Sequence, residues 1–373
     1  MTYDQSESES VRRSTPRARP SHEAPTPMRN RTLTTTAALV VASLVPLALS
    51  APVAQAAAEP AVPYDFNGDG LIDLAVGAPG ATVAGQAGAG AVSVVHGGST
   101  GLKSAQHKLI TENSNAIPGT AEAGDAFGSA LASADLNRDG YADLVVGVPG
   151  EDTDYGDTDG GTVLVVWGSA SGLSGGRIIT EEHRADSDRD GQSVATGDFN
   201  DDGHADVAVG STGFIEGLVI NGPFTKTGEL VGYYGSGLNF SDTYGVGHLS
   251  AGDVTGTGHD NLVVHGRTDD GRAISRLHDT RLGNFSFWSQ YLPPGYTSAV
   301  GDIDGDGHGD IVIGNHREVS GDPEGAKGGK ITVVYGGPGP GHHPRAGRHH
   351  PGHRRRAQRR RDRRRLRLQR LAR

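Results

Sequence analysis

Short apolar runs recur along the chain, and each follows an acidic turn. The runs are Leu74–Val76, Leu144–Val146, Val207–Val209, Leu262–Val264 and Ile311–Ile313, and each closes within two residues on Gly77, Gly147, Gly210, Gly266 or Gly314. A second apolar segment follows a Gly-rich stretch, at Ala91–Val95, Thr162–Trp167 and Ile331–Tyr335. A third follows a further turn, at Lys108–Thr111 and Arg177–Thr180. The residues ahead of each acidic turn read as one more strand, as in Ser129–Ala134. Runs this short, bounded by Gly and Asp turns, are strand signals. No helical period appears beyond residue 49. The pattern predicts an all-β chain built from repeated units of four short strands, which is the make-up of a propeller blade.

The acidic turns begin at 65, 135, 198, 253 and 302, so successive spacings are 70, 63, 55 and 49 residues. Spacings of this size indicate an array or a propeller. The third turn runs Asp198, Phe199, Asn200, Asp201, Asp202, Gly203, His204, Ala205, Asp206. Oxygen-bearing side chains stand at positions 1, 3, 5 and 9, with Gly at 6, where the backbone reverses and turns the carbonyl of position 7 inward. Hard oxygens in that number suit Ca²⁺, which takes about 6–8 ligands. The predicted ligands are therefore Asp65, Asn67, Asp69, Leu71 and Asp73 in the first turn, and Asp135, Asn137, Asp139, Tyr141 and Asp143 in the second. In the third they are Asp198, Asn200, Asp202, His204 and Asp206, and in the fifth Asp302, Asp304, Asp306, His308 and Asp310. The Leu, Tyr and His at position 7 act through the backbone carbonyl, with the side chain left free. The fourth turn, Asp253, Thr255, Thr257, Gly258 and Asn261, keeps one carboxylate and is expected to bind metal weakly or not at all. An EF-hand needs a bidentate Glu at position 12; here that position holds Val76, Val146 or Val209. The strand that follows also excludes a dockerin, which needs a helix there.

Charge sharpens the picture. The chain of 373 residues carries a formal charge of −10 and no Cys. Residues 345–373 hold 14 Arg and one Asp, a local +13; residues 1–58 carry +2, which leaves −25 on residues 59–344. An acidic body fits cation binding and argues against nucleic acid, which requires a basic face. Without disulfides, bound calcium is the available staple for an exported domain.

The two ends read differently. Residues 1–27 are polar and without apolar period, as in a disordered segment, and Met28 is the expected true start. Residues 28–58 then form a secretory signal: Arg29 and Arg31, the apolar stretch from Leu33 to Leu49, and the small-residue site Ala54, Gln55, Ala56. The apolar stretch is short for a membrane span, which takes about 20 residues. No span is expected after its removal. Beyond residue 337 the composition turns to Arg, His, Pro and Gly. Residues 338–373 are expected to be a basic disordered tail, and a shifted reading frame in a GC-rich gene would produce such a run.

Repeat two joins Phe127 and Gly128, the Asp135–Asp143 turn, and Leu144, Val145, Val146, Gly147, Val148, Pro149; repeat one ends on Gly77, Ala78, Pro79. Residues 65–337 thereby resemble the FG-GAP repeats of integrin α-subunit propellers and their bacterial relatives. The resemblance implies a β-propeller over 59–337 with calcium in the hairpin between the first two strands of a blade. Repeat three departs from it, with Asp190–Gly191 for Phe-Gly and Gly210, Ser211, Thr212 for Gly-Ala-Pro. The family closes seven blades where five repeats are visible, so the expectation is a ring that has lost two.

Other motifs carry less. Ser99 and Ser174 sit in Gly-x-Ser-x-Gly matches, but a nucleophile elbow needs a strand–turn–helix, and both fall between strands. The loop Gly150–Gly161, with Glu151, Asp152, Asp154, Asp157 and Asp159, is a solvated loop or a partner-binding surface. Trp167 and Trp288 are too few for a sugar platform. The reading is a secreted, calcium-binding, non-catalytic adhesion or protein-binding module. Its alternatives are a lectin-like propeller, or an accessory propeller related to phospholipase-type hydrolases.

Overall fold

The computed structural model describes residues 59–105, 107–152, 158–180, 188–212, 218–227, 233–235, 245–268, 271–279, 289–316, 329–338 and 345–347. The expected disordered start and signal segment (1–58), most of the basic tail, Asp154, Asp157 and Trp288 lie outside them.

The first sheet is β1 (Leu74–Ala78), β2 (Ala91–Val95) and β3 (His107–Ile110), paired in that order. The second is β4 (Ala130–Ala134), β5 (Asp143–Val148), β6 (Thr162–Val166) and β7 (Gly176–Ile178). The third is β8 (Asp188–Gly197), β9 (Asp206–Thr212), β10 (Leu218–Ile220) and β11 (Tyr233–Gly235). The fourth is β12 (Val246–Gly252), β13 (Asn261–Arg267), β14 (Ala273–His278) and β15 (Ser289–Leu292). The fifth is β16 (Thr297–Gly301), β17 (Asp310–Asn315), β18 (Lys330–Tyr335) and β19 (Arg345–Gly347). All pairings join consecutive strands antiparallel, and the described residues contain no helix. These are the blades of an all-β propeller.

Two details differ from the sequence reading. Residues 59–64 do not form a strand ahead of the first turn; they cross to the second blade, where Tyr64 N donates to Ser133 Oγ at 2.8 Å and Ala61 N to Asp135 Oδ2 at 3.0 Å. The first sheet therefore has three strands, and its edge leaves Leu74 and Val76 exposed. At the other end, Arg345–Gly347 lies past the expected boundary at 337 yet pairs with Val333–Tyr335 as β19.

Period-2 alternation explains how the sheets stack. In β5, Leu144, Val146 and Val148 face the first sheet while Val145 faces the third. Both faces are buried, so the central strands are apolar throughout. Four core clusters join neighbours in series, from sheets one and two to sheets four and five. None joins the fifth to the first among the described residues.

The second residue of the first four acidic turns plugs these joints. Phe66, Leu136, Phe199 and Val254 are fully buried against the next blade. Ile303 holds the same place in the fifth turn and is 53% exposed, because no described blade covers it.

The Phe-Gly motif also acquires a reason. A Cβ on Gly147 would lie 1.9 Å from Gly191 O, and one on Gly77 would lie 2.1 Å from Gly128 O. The two glycines mark where adjacent blades touch backbone to backbone. Repeat three replaces the Phe with Asp190 and keeps the glycine, whose φ of 87° and close contact are unchanged in kind.

Phe199→Ala is expected to lower stability by about 3–5 kcal/mol, as for an aromatic side chain removed from a core. Ile303→Ala should stay within about 1 kcal/mol. Urea unfolding of both variants checks this, and equal losses would refute the plug role.

Candidate metal centres

Each acidic turn links the first strand position of its blade to the second, and all five adopt one backbone form. The carboxylate at position 1 accepts the N–H groups of positions 5 and 6. In the first turn these are Asp69 N at 3.1 Å and Gly70 N at 2.8 Å on Asp65. Asp135, Asp198, Asp253 and Asp302 repeat the pair. The position 5 side chain then accepts from the N–H of position 7, as Asp69 does from Leu71 N at 3.0 Å and Asp306 from His308 N at 3.0 Å. Two positions take left-handed backbone. Position 6 is Gly in every turn. Position 4 is Gly68, Gly256 and Gly305, but also Arg138 (φ 56°) and Asp201 (φ 62°).

Position 9 has a different task. Asp73, Asp143, Asp206 and Asp310 are buried at the root of the turn. One oxygen accepts from the N–H of position 2: Phe66 N, Leu136 N, Phe199 N or Ile303 N, at 2.9–3.1 Å. The other accepts from a glycine just past the third strand position: Gly97, Gly168, Gly222 or Gly336, at 2.7–3.0 Å. The carboxylate thus ties the turn to the exit of the sheet's next hairpin. Sequence spacing marked these residues as oxygens facing an ion and gave no sign of the glycine partners, which lie 16–26 residues further on.

The donor set is all oxygen, which fits a hard divalent cation. The fifth turn gathers it most closely: one oxygen each from Asp302, Asp304 and Asp310 lie within 4.8 Å of one another. Two ligands on opposite sides of a Ca²⁺ at about 2.4 Å stand about 4.8 Å apart, so one ion can serve all three. Partial desolvation, then the Asp306 and Asp310 charges, push the Asp304 carboxyl above its ordinary value. In the first two turns a lysine reaches position 5 instead, Lys103 to Asp69 at 3.3 Å and Lys226 to Asp139 at 3.1 Å. The asparagine at position 3 accepts from the position 5 N–H: Asn67, Asn137 and Asn200 at 2.9–3.0 Å.

The fourth turn fills its interior with its own side chains. Thr255 Oγ1 donates to Asn261 Oδ1 at 3.1 Å, and the buried His259 bonds Thr257 Oγ1 through Nδ1 at 2.8 Å and Asp279 through Nε2 at 3.1 Å. Thr255, Thr257 and Asn261 stand where the other turns carry Asn or Asp, and the backbone form is unchanged. The side chain at position 7 is also not free, contrary to expectation. His259 is built into that network, Tyr141 lies 2.9 Å from where a Cβ on Gly68 would sit, and His308 lies 2.1 Å from the equivalent point on Gly256. Turn two thus interlocks with turn one, and turn five with turn four, position 7 of one over position 4 of the other.

At the end of the blades opposite these turns, a cleft of about 380 Å³ is lined by Gln192, Thr212, His265, Arg267, Tyr296 and His316. The Arg267 guanidinium lies 5.3 Å from the Tyr296 ring centre, and the His316 ring 4.5 Å from it. Burial lowers the His265 pKa to about 4, which keeps it neutral. Ser99 and Ser174 fall in turns after β2 and β6, and among the described residues neither bonds a histidine.

The family model for the FG-GAP repeat matches residues 58–95, 127–166, 191–228 and 294–334. The fourth turn falls outside these segments. The chain is 36% identical over 148 residues to the phosphatidylinositol-glycan-specific phospholipase D of Rattus norvegicus, covering 39% of this chain and 17% of that protein. It is 31% identical over 220 residues to the Homo sapiens protein of that name, covering 56% of this chain and 24% of that protein. It is 32% identical over 168 residues to integrin alpha-PS2 of Drosophila melanogaster, covering 40% of this chain and 12% of that protein. The chain thus spans less than a quarter of the length of each of these relatives.

Burial, outweighing their two N–H donors, raises the Asp143 and Asp206 carboxyls to about 7. A folded-state pKa above the unfolded one gives stability that is complete at low pH and lost as pH rises through the folded value. With chelator present, the urea midpoint is expected to fall between pH 5 and pH 8. A midpoint that rises over this interval would contradict it.

Proposed function

We propose that this chain, which is an integrin-like FG-GAP β-propeller, is an exported, calcium-stapled binding module that recognises an extracellular protein ligand and has no catalysis of its own. The observation that carries this reading is the shared turn geometry: oxygen donors at one end of successive blades, in an acidic body that has no disulfide. Calcium would be held by positions 1, 3, 5, 7 and 9 of turns one, two, three and five. It would supply charge neutralisation and cross-linking within the turn, so its role is structural. The buried position 9 carboxylate would add its free lone pairs. The fourth turn, occupied by threonine and histidine, would stay without metal.

The acidic turns occupy one end of the blades, and the cleft at the opposite end is the surface proposed for a partner. The cleft around Arg267 and Tyr296 joins a guanidinium to an aromatic ring, the residue types that dominate protein-binding hot spots. The same ring supports a second reading, a carbohydrate ligand stacked in the cleft. A glycan array run beside a panel of cell-surface proteins separates the two, and loss of the signal in Tyr296→Ala would assign it to the cleft. Export is tested by N-terminal sequencing of protein from the culture medium, where cleavage after Ala56 is expected.

Ligand binding to the folded state alone stabilises by RT ln(1 + [L]/Kd), about 2.7 kcal/mol at a hundredfold excess over Kd. Chelation should therefore lower the melting temperature by an amount that depends on free calcium. Asp302→Asn should reduce that dependence, whereas Asp253→Asn should leave it unchanged. A melt indifferent to calcium would sink the staple role.

A further inference from the structure

We propose that the junction of the first two blades holds a divalent cation of its own, bound by Glu112, Asp125 and Glu151 at the end opposite the acidic turns. None of the three belongs to a turn. Glu112 follows β3, Asp125 precedes β4, and Glu151 follows β5, so three separate segments converge there. A strand of five or six residues, roughly 17–20 Å, separates this point from the nearest turn.

Each of the three offers a carboxylate oxygen within 4.8 Å of the other two. That is the span across a single Ca²⁺ with oxygens at about 2.4 Å. Glu112 is 3% exposed and Asp125 2%. Neither Glu112 oxygen has a hydrogen-bond donor, and Glu151 Oε2 also lacks one. A buried carboxylate without a donor is costly, so its geometry calls for a positive partner. Among the described residues, the further charged groups named as acting on Glu151 are Glu122 and Asp152, both acidic. Burial, and then the neighbouring carboxylates, Asp125 among them, hold the Glu112 and Glu151 carboxyls above their ordinary values.

The surroundings are built to hold the cluster in place. Gly119 has φ 98°, and a Cβ there would lie 2.7 Å from Glu112 Oε1. Asp125 accepts from Glu122 N, and its backbone oxygen accepts from Gly150 N at 3.0 Å, which draws the Glu151 loop onto the Asp125 segment. Gly161 N closes the same loop on Glu151 O at 2.9 Å. An oxygen-only set of three carboxylates selects Ca²⁺ or a similar hard ion over thiophilic metals. A bound ion would clasp the first blade to the second.

The test is equilibrium dialysis of the full chain against Ca²⁺, with variants checked for retained β-sheet by circular dichroism. Glu112→Gln is expected to bind one equivalent fewer than the parent. Glu151→Gln, at a half-buried position that folding tolerates better, should lose the same equivalent. Asp198→Asn in the third turn should lose a different one, so its loss adds to that of Glu112→Gln in the double variant. An unchanged count in both glutamate variants overturns the proposal, above all if Glu112→Gln melts higher in chelator, since the cluster would then be a set of acids sharing protons. Loss of an equivalent in the glutamate variants but not in Asp198→Asn would uphold this site and refute calcium in the third turn.

Discussion

Four buried aspartates at the roots of the acidic turns fix the form of each blade. Asp73, Asp143, Asp206 and Asp310 each give one oxygen to the turn and one to a glycine beyond the following hairpin. A carboxylate hidden from water demands strong donors on both oxygens, and two backbone N–H groups satisfy that demand. The strands between them are short, three to seven residues, and their pairing is set once the turn and the glycine are joined. Where the residue is Asn261, one oxygen takes the N–H groups of Val254 and Thr255, and the blade keeps the same turn without the charge.

The fold was largely legible because two periods coincide in the sequence. Alternation by two gives strands, the recurrence of Asp-x-Asn/Asp-x-Asp-Gly gives blades, and both point to a propeller. What escaped the sequence were the contacts that alternation does not encode. The plug at position 2 reads as one more apolar residue in a polar turn. The glycine partners of position 9 lie far along the chain. Position 7 looked free because Leu71, Tyr141, His204 and His308 share no chemistry, yet Tyr141 and His308 lie over the position 4 glycine of the neighbouring turn. The missing strand ahead of the first turn follows from tertiary pairing of 61–64 with the second blade, which local pattern cannot show. The Glu112 cluster was hidden for a related reason: its three acids come from two blades and a linker, and only one of them, Glu151, stands in a stretch rich in charge.

The two ends of the blades are made for different work. The turn end is regular, backbone-defined and nearly the same five times. The other end varies from blade to blade, with an acidic knot at the first junction and a cleft of histidine, arginine and tyrosine where the later blades meet. Regularity at one end keeps the sheets in register, and this leaves the opposite loops room to differ.

Ile303 and Ile331, 53% and 71% exposed, mark an outer face of the fifth blade that no described neighbour covers. In a stack where each member leans on the next, the one supported from a single side has the least to lose by opening. Among the described residues the first blade, with Leu74, Val76 and Leu109 uncovered, is likewise packed on one side only, so fraying would start at these two outer blades and travel inward one blade at a time.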